Sequence, residues 1–458
     1  SQGLFPVLLL GVLGLSGHIG SAAPVKERDP ADLSAGKVYG WQSEDGLAYH
    51  YRIPKTYDAE AGANLTFVLH GSNLSRTWGF ANHDPDTFRP DDIVVCPDGT
   101  TPNGEGGFNF FGKGVDVERL HALHQQLQQL FKVNATFIYG HSQGSFFALL
   151  YAGAKPQEVQ GVVAHASGVW GGTAQPETAH HQAVVFMHGT QDPIVPYGQS
   201  VGGYESMLKK GYPTVRLRSL EGWNHWPAEQ NGPIPHTSQQ LAWVEGMTSS
   251  DPKRQAAAFV TLSRAKDKQQ HDFAGLYLVA ARIAALPDAS AGAKRASEKA
   301  LSNVGALADK HLASLAKADP DAADDPGDGA WVGHLPMFLR AFAGVPAAET
   351  LREQWEDVLK EHQEGANQHL GAYYKALNAG DKAGAFSAGV EALKTSFLSL
   401  YCADRQFLGN LKKWASDARE LGLDKGEVTE FKSLYKGYLK SLEDGKKAFE
   451  SINRRASL

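Results

Sequence analysis

A serine between two glycines, directly after a short apolar run, is the feature that most constrains the fold of this chain. Residues 140–144 read Gly-His-Ser-Gln-Gly and follow the run Phe-Ile-Tyr at 137–139. Glycines permit the close backbone approach of a sharp strand-to-helix turn, which lifts a serine hydroxyl above the edge of a sheet. Residues 145–153 are uncharged and mostly apolar, as expected of a helix buried beneath that sheet. The pattern predicts Ser142 as a nucleophile, and a serine in an ordinary tight loop is the alternative interpretation.

Two residues further along the chain complete a set for nucleophilic catalysis. Because a serine hydroxyl is a poor nucleophile at neutral pH, it needs a histidine base and a carboxylate that orients the histidine. Asp192 follows the apolar run 183–187, and His225 follows the run 215–220, so each is expected just after a strand. The order serine, acid, histidine is the one that a strand-turn-helix serine requires. We predict Ser142, Asp192 and His225 as the catalytic residues, although either partner taken alone also fits an ordinary loop residue.

Backbone N–H groups are expected to complete this site. Acyl transfer passes through a tetrahedral oxyanion, and each N–H donor aimed at that oxygen lowers the barrier by about 3 kcal/mol. One donor is the N–H of Gln143, directly after the serine, and the other comes from the loop after an earlier strand. The run 65–69 predicts that strand, and a His-Gly pair follows it. We predict the N–H of Ser72 as the second donor, with the N–H of Asn73 as the alternative.

Strand-like and helical stretches alternate in the first half of the chain. Runs that predict strands begin at residues 65, 93, 136, 161, 183 and 215, and helical stretches such as 115–131 lie between several of them. This alternation predicts an α/β fold with a mostly parallel central sheet that is covered on both faces. Residues 37–53 alternate around Glu-Asp-Gly, which predicts an antiparallel hairpin at the start of the sheet. Loops at the carboxyl ends of parallel strands would gather the predicted catalytic residues.

The chain changes character near residue 250, where Ser-Ser-Asp-Pro at 249–252 predicts the start of a helix and no strand-like run follows. We predict a catalytic domain over 36–247 and an all-α domain over 251–458, with an acidic linker near 317–330. In the helical domain, an apolar stripe from Leu351 to Leu377 predicts one long helix. A second stripe from Phe386 to Tyr401 predicts a helix packed antiparallel to the first.

The motifs together resemble the α/β-hydrolase superfamily. They are Leu-His-Gly at 69–71, Gly-His-Ser-Gln-Gly at 140–144, His-Gly-Thr-Gln-Asp-Pro-Ile-Val-Pro at 188–196 and His-Trp-Pro at 225–227. The pairing of His-Gly-Thr-x-Asp with His-x-Pro is similar to the secreted group of polyhydroxybutyrate depolymerases, feruloyl esterases and acetylxylan esterases. This resemblance spans residues 36–247 and implies an α/β-hydrolase fold that acts on esters. The chain departs from that group in lacking its cysteine pairs and in Trp-Asn before His225, where glycines are more usual.

Aromatic residues near the predicted site are candidates for substrate contacts. Trp78 and Phe108 lie in long glycine-containing loops, and Trp223 and Trp226 flank His225. Their rings suit a flat acyl group or a sugar ring. We predict these four residues as substrate-binding, with packing that anchors the loops as the alternative.

Composition and charge narrow the classes of partner and cofactor. A net charge of -6 offers no attraction to nucleic acid or to anionic lipid, so we expect neither as a partner. Cys96 and Cys402 are the two cysteines, and we expect free thiols. Zinc-like spacing of histidine and cysteine is missing, and the acidic run 319–328 lacks the spacing and closing glutamate of a calcium loop. The chemistry predicted for Ser142 requires no metal and no cofactor.

The N-terminal segment, 1–35, bears on the cellular location of the protein. Residues 4–15 are apolar and uncharged, and Gly-Ser-Ala-Ala follows at 20–23. This segment resembles the core and cleavage site of a signal peptide, although no basic residue precedes the core. The resemblance predicts a secreted or periplasmic protein that is not integrated into a membrane once the signal is removed. A membrane anchor is the alternative.

These observations favour a serine ester hydrolase that acts on carboxylic esters, with carbohydrate-linked esters or polyesters as candidate substrates. A serine peptidase on the same fold is the alternative enzyme. A catalytically idle hydrolase-fold scaffold with a helical partner-binding domain is the alternative class. For the helical domain we expect a packing role or the docking of a protein partner, with the shaping of the substrate cleft as the alternative.

Overall fold

The computed structural model describes residues 25–84, 86–110, 115–169, 176–225, 235–264, 271–313, 315–317, 335–395 and 405–455. Several predictions fall outside these ranges. They concern the signal-like core within 1–24, Trp226, most of the acidic linker and the end of the second helical stripe, including Tyr401. Among the described residues, no helix combines the length and the apolar character that a membrane span needs.

An eight-stranded sheet organises the first half of the chain. The strands are β1 (Val38–Gln42), β2 (Ala48–Arg52), β3 (Ala63–Leu69), β4 (Asp92–Pro97), β5 (Thr101–Pro102), β6 (Phe108–Asn109), β7 (Val133–His141), β8 (Gly161–His165), β9 (Ala183–Gly189) and β10 (Val215–Leu220). The order in the sheet is β1-β2-β4-β3-β7-β8-β9-β10, and β5 pairs with β6 in a separate small hairpin. β1 and β2 form the predicted antiparallel hairpin, and the strands from β3 to β10 in the large sheet run parallel. The predicted mostly parallel sheet is confirmed.

Helices follow the strands and then continue alone to the C-terminal region. They are α1 (Thr77–Asn82), α2 (Asp116–Leu130), α3 (Gln143–Ala154), α4 (Pro176–Ala179), α5 (Gly198–Lys209), α6 (Pro235–Thr248), α7 (Pro252–Ser263), α8 (Phe273–Ala285), α9 (Ala291–Leu312), α10 (Leu335–Ala341), α11 (Pro346–Gln354), α12 (Glu356–Asn378), α13 (Lys382–Thr395), α14 (Arg405–Ser416), α15 (Ala418–Leu421) and α16 (Lys425–Arg455). No strand occurs after β10 in the described residues. The predicted fold class, an α/β-hydrolase sheet followed by an all-α region, is confirmed.

Two cores cover the two faces of the sheet. Because side chains alternate along a strand, Val68 of β3 points to one face while Phe67 and Leu69 point to the other. Phe67 and Leu69 pack with residues of α2 and α3, such as Leu123 and Phe147. The opposite face is covered by a second core, which we call the shared core because the sheet and the later helices both contribute to it. It contains Val68 of β3 and Trp243 of α6 and continues into α8, α9, α10 and α11. The first helices after residue 250 are therefore packed into the core of the sheet.

The last helices form a further core of their own, the distal core, which contains Tyr373 of α12, Phe386 of α13, Leu411 of α14 and Phe431 of α16. α12 and α13 pack closely along each other, as the second stripe predicted. The end of α16 leaves the distal core, since its Phe449 belongs to the shared core. This helix thus links the distal helices to the sheet.

The apolar stripe that predicted one long helix is interrupted at Trp355. This residue has φ -104° and ψ 10° and lies between the end of α11 and the start of α12. Its indole is fully buried in the shared core, whereas Ala366 and Tyr373 of α12 belong to the distal core. The expectation of one continuous helix is wrong because the helical geometry breaks at this residue. The chain then passes from the shared core to the distal core along the first turns of α12, where Val358 and Leu359 still pack against the shared core.

Removing the link made by α16 should lower stability. Phe449 is 2% exposed in the shared core, whereas Leu439 on the same helix is 43% exposed. We expect Phe449→Ala to lower the free energy of unfolding by about 3–5 kcal/mol. The matched control Leu439→Ala should change it by less than about 0.5 kcal/mol. Denaturant unfolding measures both values, and equal values for the two variants would contradict the structural role of the α16 end.

Candidate active site

Ser142 occupies a strained turn between β7 and α3. Its φ of 52° and ψ of -122° lie in a region that side-chain-bearing residues rarely adopt. The flanking glycines are required by space, because a Cβ on Gly144 would lie 2.3 Å from the carbonyl oxygen of His70, and one on Gly140 would lie 2.5 Å from that of Gly144. The N–H of Ser142 donates to the carbonyl of His165 at 2.9 Å. The turn leaves Ser142 partly exposed at the carboxyl end of the sheet.

Asp192 and His225 meet at the carboxyl ends of β9 and β10. Nδ1 of His225 lies 2.7 Å from Oδ2 of Asp192, and both side chains are buried. The other carboxylate oxygen accepts the N–H groups of Ile194 and Val195. Burial opposes ionisation of Asp192, but hydrogen bonds from His188 and His225 hold the pKa of this carboxyl well below its usual range. Asp192 is therefore an anion at neutral pH and orients the imidazole of His225.

His225 lies next to the serine turn. The centroid of its ring is 4.9 Å from that of His141, the residue directly before Ser142. The three residues predicted from three separate loops are thus gathered at one end of the sheet, at the carboxyl ends of β7, β9 and β10.

The loop after β3 lies beside the serine turn. Gly71 packs against the turn, since a Cβ on Gly71 would lie 3.4 Å from Cβ of Ser142. The N–H of Asn73, the alternative donor, is taken by the carbonyl of Phe108 at 3.0 Å and by Oδ1 of Asn109 at 3.1 Å. Within the described chain, the N–H of Ser72 donates no hydrogen bond, and neither does the N–H of Gln143.

A buried histidine side chain, which the sequence did not single out, fixes the direction of the Ser72 N–H. Gly99 donates its N–H to Nε2 of His70 at 3.0 Å, so Nδ1 of this ring carries the proton and donates to the carbonyl of Gly71 at 2.7 Å. Burial lowers the pKa of His70 to about 4, which keeps the ring neutral. Because the C=O and N–H of a trans peptide point in opposite directions, this bond turns the Ser72 N–H away from His70.

Beneath the serine turn lies the histidine layer, which consists of His83, His141 and His165 together with Trp78 and Tyr139. Trp78 stacks on His141 with centroids 5.1 Å apart, and the rings of His141 and His165 are 4.8 Å apart. Burial lowers the pKa of His83 to about 4. Burial, together with neighbouring histidines, lowers the pKa of His141 and His165 well below the usual range. The layer is therefore neutral at pH 7.

The predicted substrate-binding residues are placed in different environments. Trp78 lies in α1 rather than in a long loop, and it is 6% exposed within the histidine layer. Trp223 is also 6% exposed and packs edge-on against His236 at 4.7 Å. Phe108 is partly exposed on β6, whose backbone pairs with the loop of Asn73. Trp226 lies outside the described residues. Phe108 is thus the described member of the set that is partly exposed.

The helical region supports the loop that carries His225. Nη2 of Arg340, from α10, lies 3.4 Å from the buried Oε1 of Glu221 at the start of this loop. A Cβ on Gly222 would lie 3.4 Å from Cε of Lys446 in α16, so the two elements are in contact. Nothing in the sequence indicated the Arg340 contact, because more than a hundred residues separate the partners.

Among the described residues, no group of three or more histidine, cysteine, aspartate or glutamate side chains could hold a metal ion. Cys96 is a buried free thiol, as predicted, and burial raises its pKa above the usual range.

The matching family is described as phospholipase/carboxylesterase, and its match covers residues 117–231. This segment contains Ser142, Asp192 and His225 and ends before the helical region. The match confirms the predicted relationship to the ester hydrolases of the α/β-hydrolase superfamily. No curated protein matches the chain.

Three solved structures each resemble less than half of this chain. A ferulic acid esterase is 16% identical, with 46% of this chain and 98% of that chain covered and a TM-score of 0.38. An S-formylglutathione hydrolase from Agrobacterium tumefaciens is 16% identical, with 45% and 93% covered and a TM-score of 0.35. A thermostable esterase is 14% identical, with 49% of this chain covered and a TM-score of 0.34. The match spans 62% of that esterase, which is less than two thirds of its length.

The buried neutral histidines should make the protein unstable to acid. Below about pH 6.5 an unfolded histidine binds a proton, whereas folded His83 remains neutral until about pH 4. The free energy of unfolding should therefore fall as the pH falls through this window, by about 1.4 kcal/mol per pH unit for each such histidine. We expect His83→Phe to reduce the slope between pH 6.5 and pH 4 by that amount.

Denaturant unfolding at a series of pH values measures this slope. The control is His181→Gln, because His181 is exposed and precedes β9 on the surface. Its slope should equal that of the parent protein, and an unchanged slope in His83→Phe would refute the origin assigned to the acid sensitivity.

Proposed function

We propose that this chain, whose residues 117–231 match the phospholipase/carboxylesterase family, hydrolyses carboxylic esters through a covalent acyl-enzyme on Ser142. The observation that carries the proposal is the strained backbone of Ser142, whose turn adjoins a buried Asp192–His225 pair. Strain of this kind persists only where the surrounding structure enforces it, and it is common at catalytic turns. The same Asp192–His225 pair next to an unstrained surface serine would give far less support for a catalytic serine.

In the proposed first step, the hydroxyl of Ser142 attacks the ester carbonyl. The N–H at Nδ1 of His225 donates a hydrogen bond to the ionised Asp192, which leaves Nε2 as the nitrogen that accepts the serine proton. The carboxylate of Asp192 stabilises the imidazolium that forms. Nε2 then returns the proton to the leaving alcohol, and the acyl group remains on Ser142. A water molecule, deprotonated by the same nitrogen, releases the acid and restores the serine.

We propose that the N–H groups of Ser72 and Gln143 bind the oxyanion of both tetrahedral intermediates. Two observations support this assignment over the alternative with Asn73. The N–H of Asn73 is already bound to Phe108 and Asn109, whereas neither proposed donor makes a hydrogen bond within the described chain. His70 also fixes the peptide between Gly71 and Ser72 before substrate arrives. Donors held in place in this way need no reorganisation during the reaction.

For the substrate, we propose an ester with a flat or apolar acyl group, as in carbohydrate-linked aromatic esters or polyesters. Support comes from Phe108, whose partly exposed ring lies on the strand beside the proposed oxyanion loop. An apolar ring in this position would contact the acyl side of the carbonyl. The burial of Trp78 and Trp223 favours a supporting role for these two residues beneath the site.

The decisive test is covalent labelling with a fluorophosphonate probe. We expect the parent protein to be labelled and Ser142→Ala to lose labelling, together with at least a thousandfold of kcat on a nitrophenyl ester. The matched control is Ser206→Ala, since Ser206 lies on α5 away from the turn and should retain both signals. Labelling that survives in Ser142→Ala, or is absent from the parent, would support the idle scaffold instead.

Turnover of acetyl, feruloyl and amide substrates by the same protein separates esterase from peptidase. We expect ester turnover to exceed amide turnover, with feruloyl esters accepted. The reverse order would reject ester hydrolysis in favour of peptide hydrolysis.

A second prediction concerns His70. Replacing it with Gln removes the ring that links Gly99 to the carbonyl of Gly71, so the Ser72 N–H loses its fixed direction. We expect kcat to fall about tenfold or more with little change in KM, because the oxyanion exists only in the transition state and the intermediates. Steady-state kinetics measures both constants, with His181→Gln as the control. A change confined to KM would contradict the oxyanion role.

A further inference from the structure

The two residues of the Asp192–His225 pair come from neighbouring loops. The acid loop, residues 190–197, follows β9 and carries Asp192. The base loop, residues 221–225, follows β10 and carries His225. The pair can form only while these two loops keep a fixed position relative to each other, so the contacts that join them are part of the candidate site.

Backbone contacts join the two loops where they leave the sheet. Gln191 donates its N–H to the carbonyl of Trp223 at 2.9 Å. Gly222 donates its N–H to the hydroxyl oxygen of Thr190, also at 2.9 Å. Gly189 allows this close approach, because a Cβ at this position would lie 2.4 Å from the carbonyl oxygen of Trp223. The roots of the loops are thus in direct contact.

Arg340, from α10 of the helical region, contacts the far end of the acid loop and the start of the base loop. Its Nη2 lies 3.4 Å from Oε1 of Glu221, the first residue of the base loop. Its guanidinium carbon lies 5.6 Å from the centroid of the ring of Tyr197, the last residue of the acid loop. The hydroxyl of Tyr197 is hydrogen-bonded to that of Ser219 in β10. One guanidinium therefore connects both loops.

The place where Arg340 makes these contacts is largely shielded from water. Glu221 and Tyr197 are buried, and the side chain of Arg340 is 19% exposed. Ion pairs and contacts between a cation and an aromatic ring both become stronger as water is displaced. Arg216 and Arg218 of β10 line the same cavity, but they belong to the sheet itself. Among the described residues that line this cavity, Arg340 is the cation that the helical region supplies.

We propose that Arg340 is a positioning residue, which holds the acid loop and the base loop together and so keeps the Asp192–His225 pair in place beside the serine turn. The proposal rests on the proposed esterase function and gives the helical region a part in that reaction. Arg340 acts through Glu221 and Tyr197 rather than on the reacting atoms. Because proton transfer depends closely on the placement of the base, a small shift of either loop slows the chemical step.

Replacing Arg340 with Met tests this role, since the side chain remains long but loses its charge and its contact with Glu221. We expect kcat on a nitrophenyl ester to fall about tenfold with KM nearly unchanged, because the substrate still binds while the chemical step loses its geometry. Arg340→Lys keeps the charge and should recover part of the loss. The matched control is Arg295→Met, since Arg295 is exposed on α9 of the same region and should keep the kcat of the parent protein.

A double variant separates positioning from stability. Arg340→Met leaves the buried carboxyl group of Glu221 without this partner, which should also lower the free energy of unfolding. Adding Glu221→Leu removes that charge, and apolar replacement of a whole buried ion pair is often neutral for stability. Denaturant unfolding should therefore show stability restored in the double variant, whereas kcat should stay low because the link between the loops is still absent. Glu221→Leu alone should lower kcat by a similar factor, which tests the link even if Arg340→Met does not fold.

Recovery of kcat together with stability in the double variant would overturn the proposal, and so would an unchanged kcat in Arg340→Met or in Glu221→Leu. The fluorophosphonate probe distinguishes this failure from a failure of the proposed function. If labelling requires Ser142 while Arg340→Met keeps full kcat, the positioning role alone is wrong. If Ser142→Ala is still labelled, the esterase function is wrong, and the positioning role is rejected with it.

Discussion

Asp192 and the groups around its carboxylate hold the candidate site together. One oxygen accepts two backbone N–H groups from the following turn, and the other meets two imidazoles. A buried anion without such partners would cost several kcal/mol, so the loop after β9 can keep this shape only while all four donors are in place. A hydrogen bond to this carboxylate orients the imidazole of His225. The proposed nucleophile therefore depends on a hydrogen-bond network centred on a different strand.

The serine turn is built on neutral rings. Packing His83 and His141 under Ser142 excludes water from the floor of the site, and stacking with Trp78 fixes the ring of His141 beside His225. The same packing lowers the free energy of unfolding at acidic pH, because the unfolded chain binds protons that the folded histidine layer excludes. Local structure at the turn, stability in acid and the proposed chemistry are thus consequences of the same packing.

The helical region is continuous with the hydrolase sheet through the shared core and through α16. Contacts from Arg340 and Lys446 reach the loop that carries His225, so the region has a structural role in the site whether or not it also docks a partner. The apolar side chains of α8 to α11 bury one face of the sheet, and burial of this extent normally makes two parts of a chain unfold together. Among the described residues, the distal core forms a cluster separate from the two cores that cover the sheet.

The sequence by itself determined the mostly parallel sheet, the strained serine turn and the positions of Asp192 and His225 at strand ends, because glycine spacing and apolar runs are local patterns. Only the tertiary structure decided that Trp78 is buried against His141, that the long helical stripe breaks at Trp355, and that His188 shares the carboxylate of Asp192. These outcomes depend on which side chains, distant in sequence, come into contact when the two faces of the sheet are covered. Local periodicity in the sequence does not specify such long-range contacts.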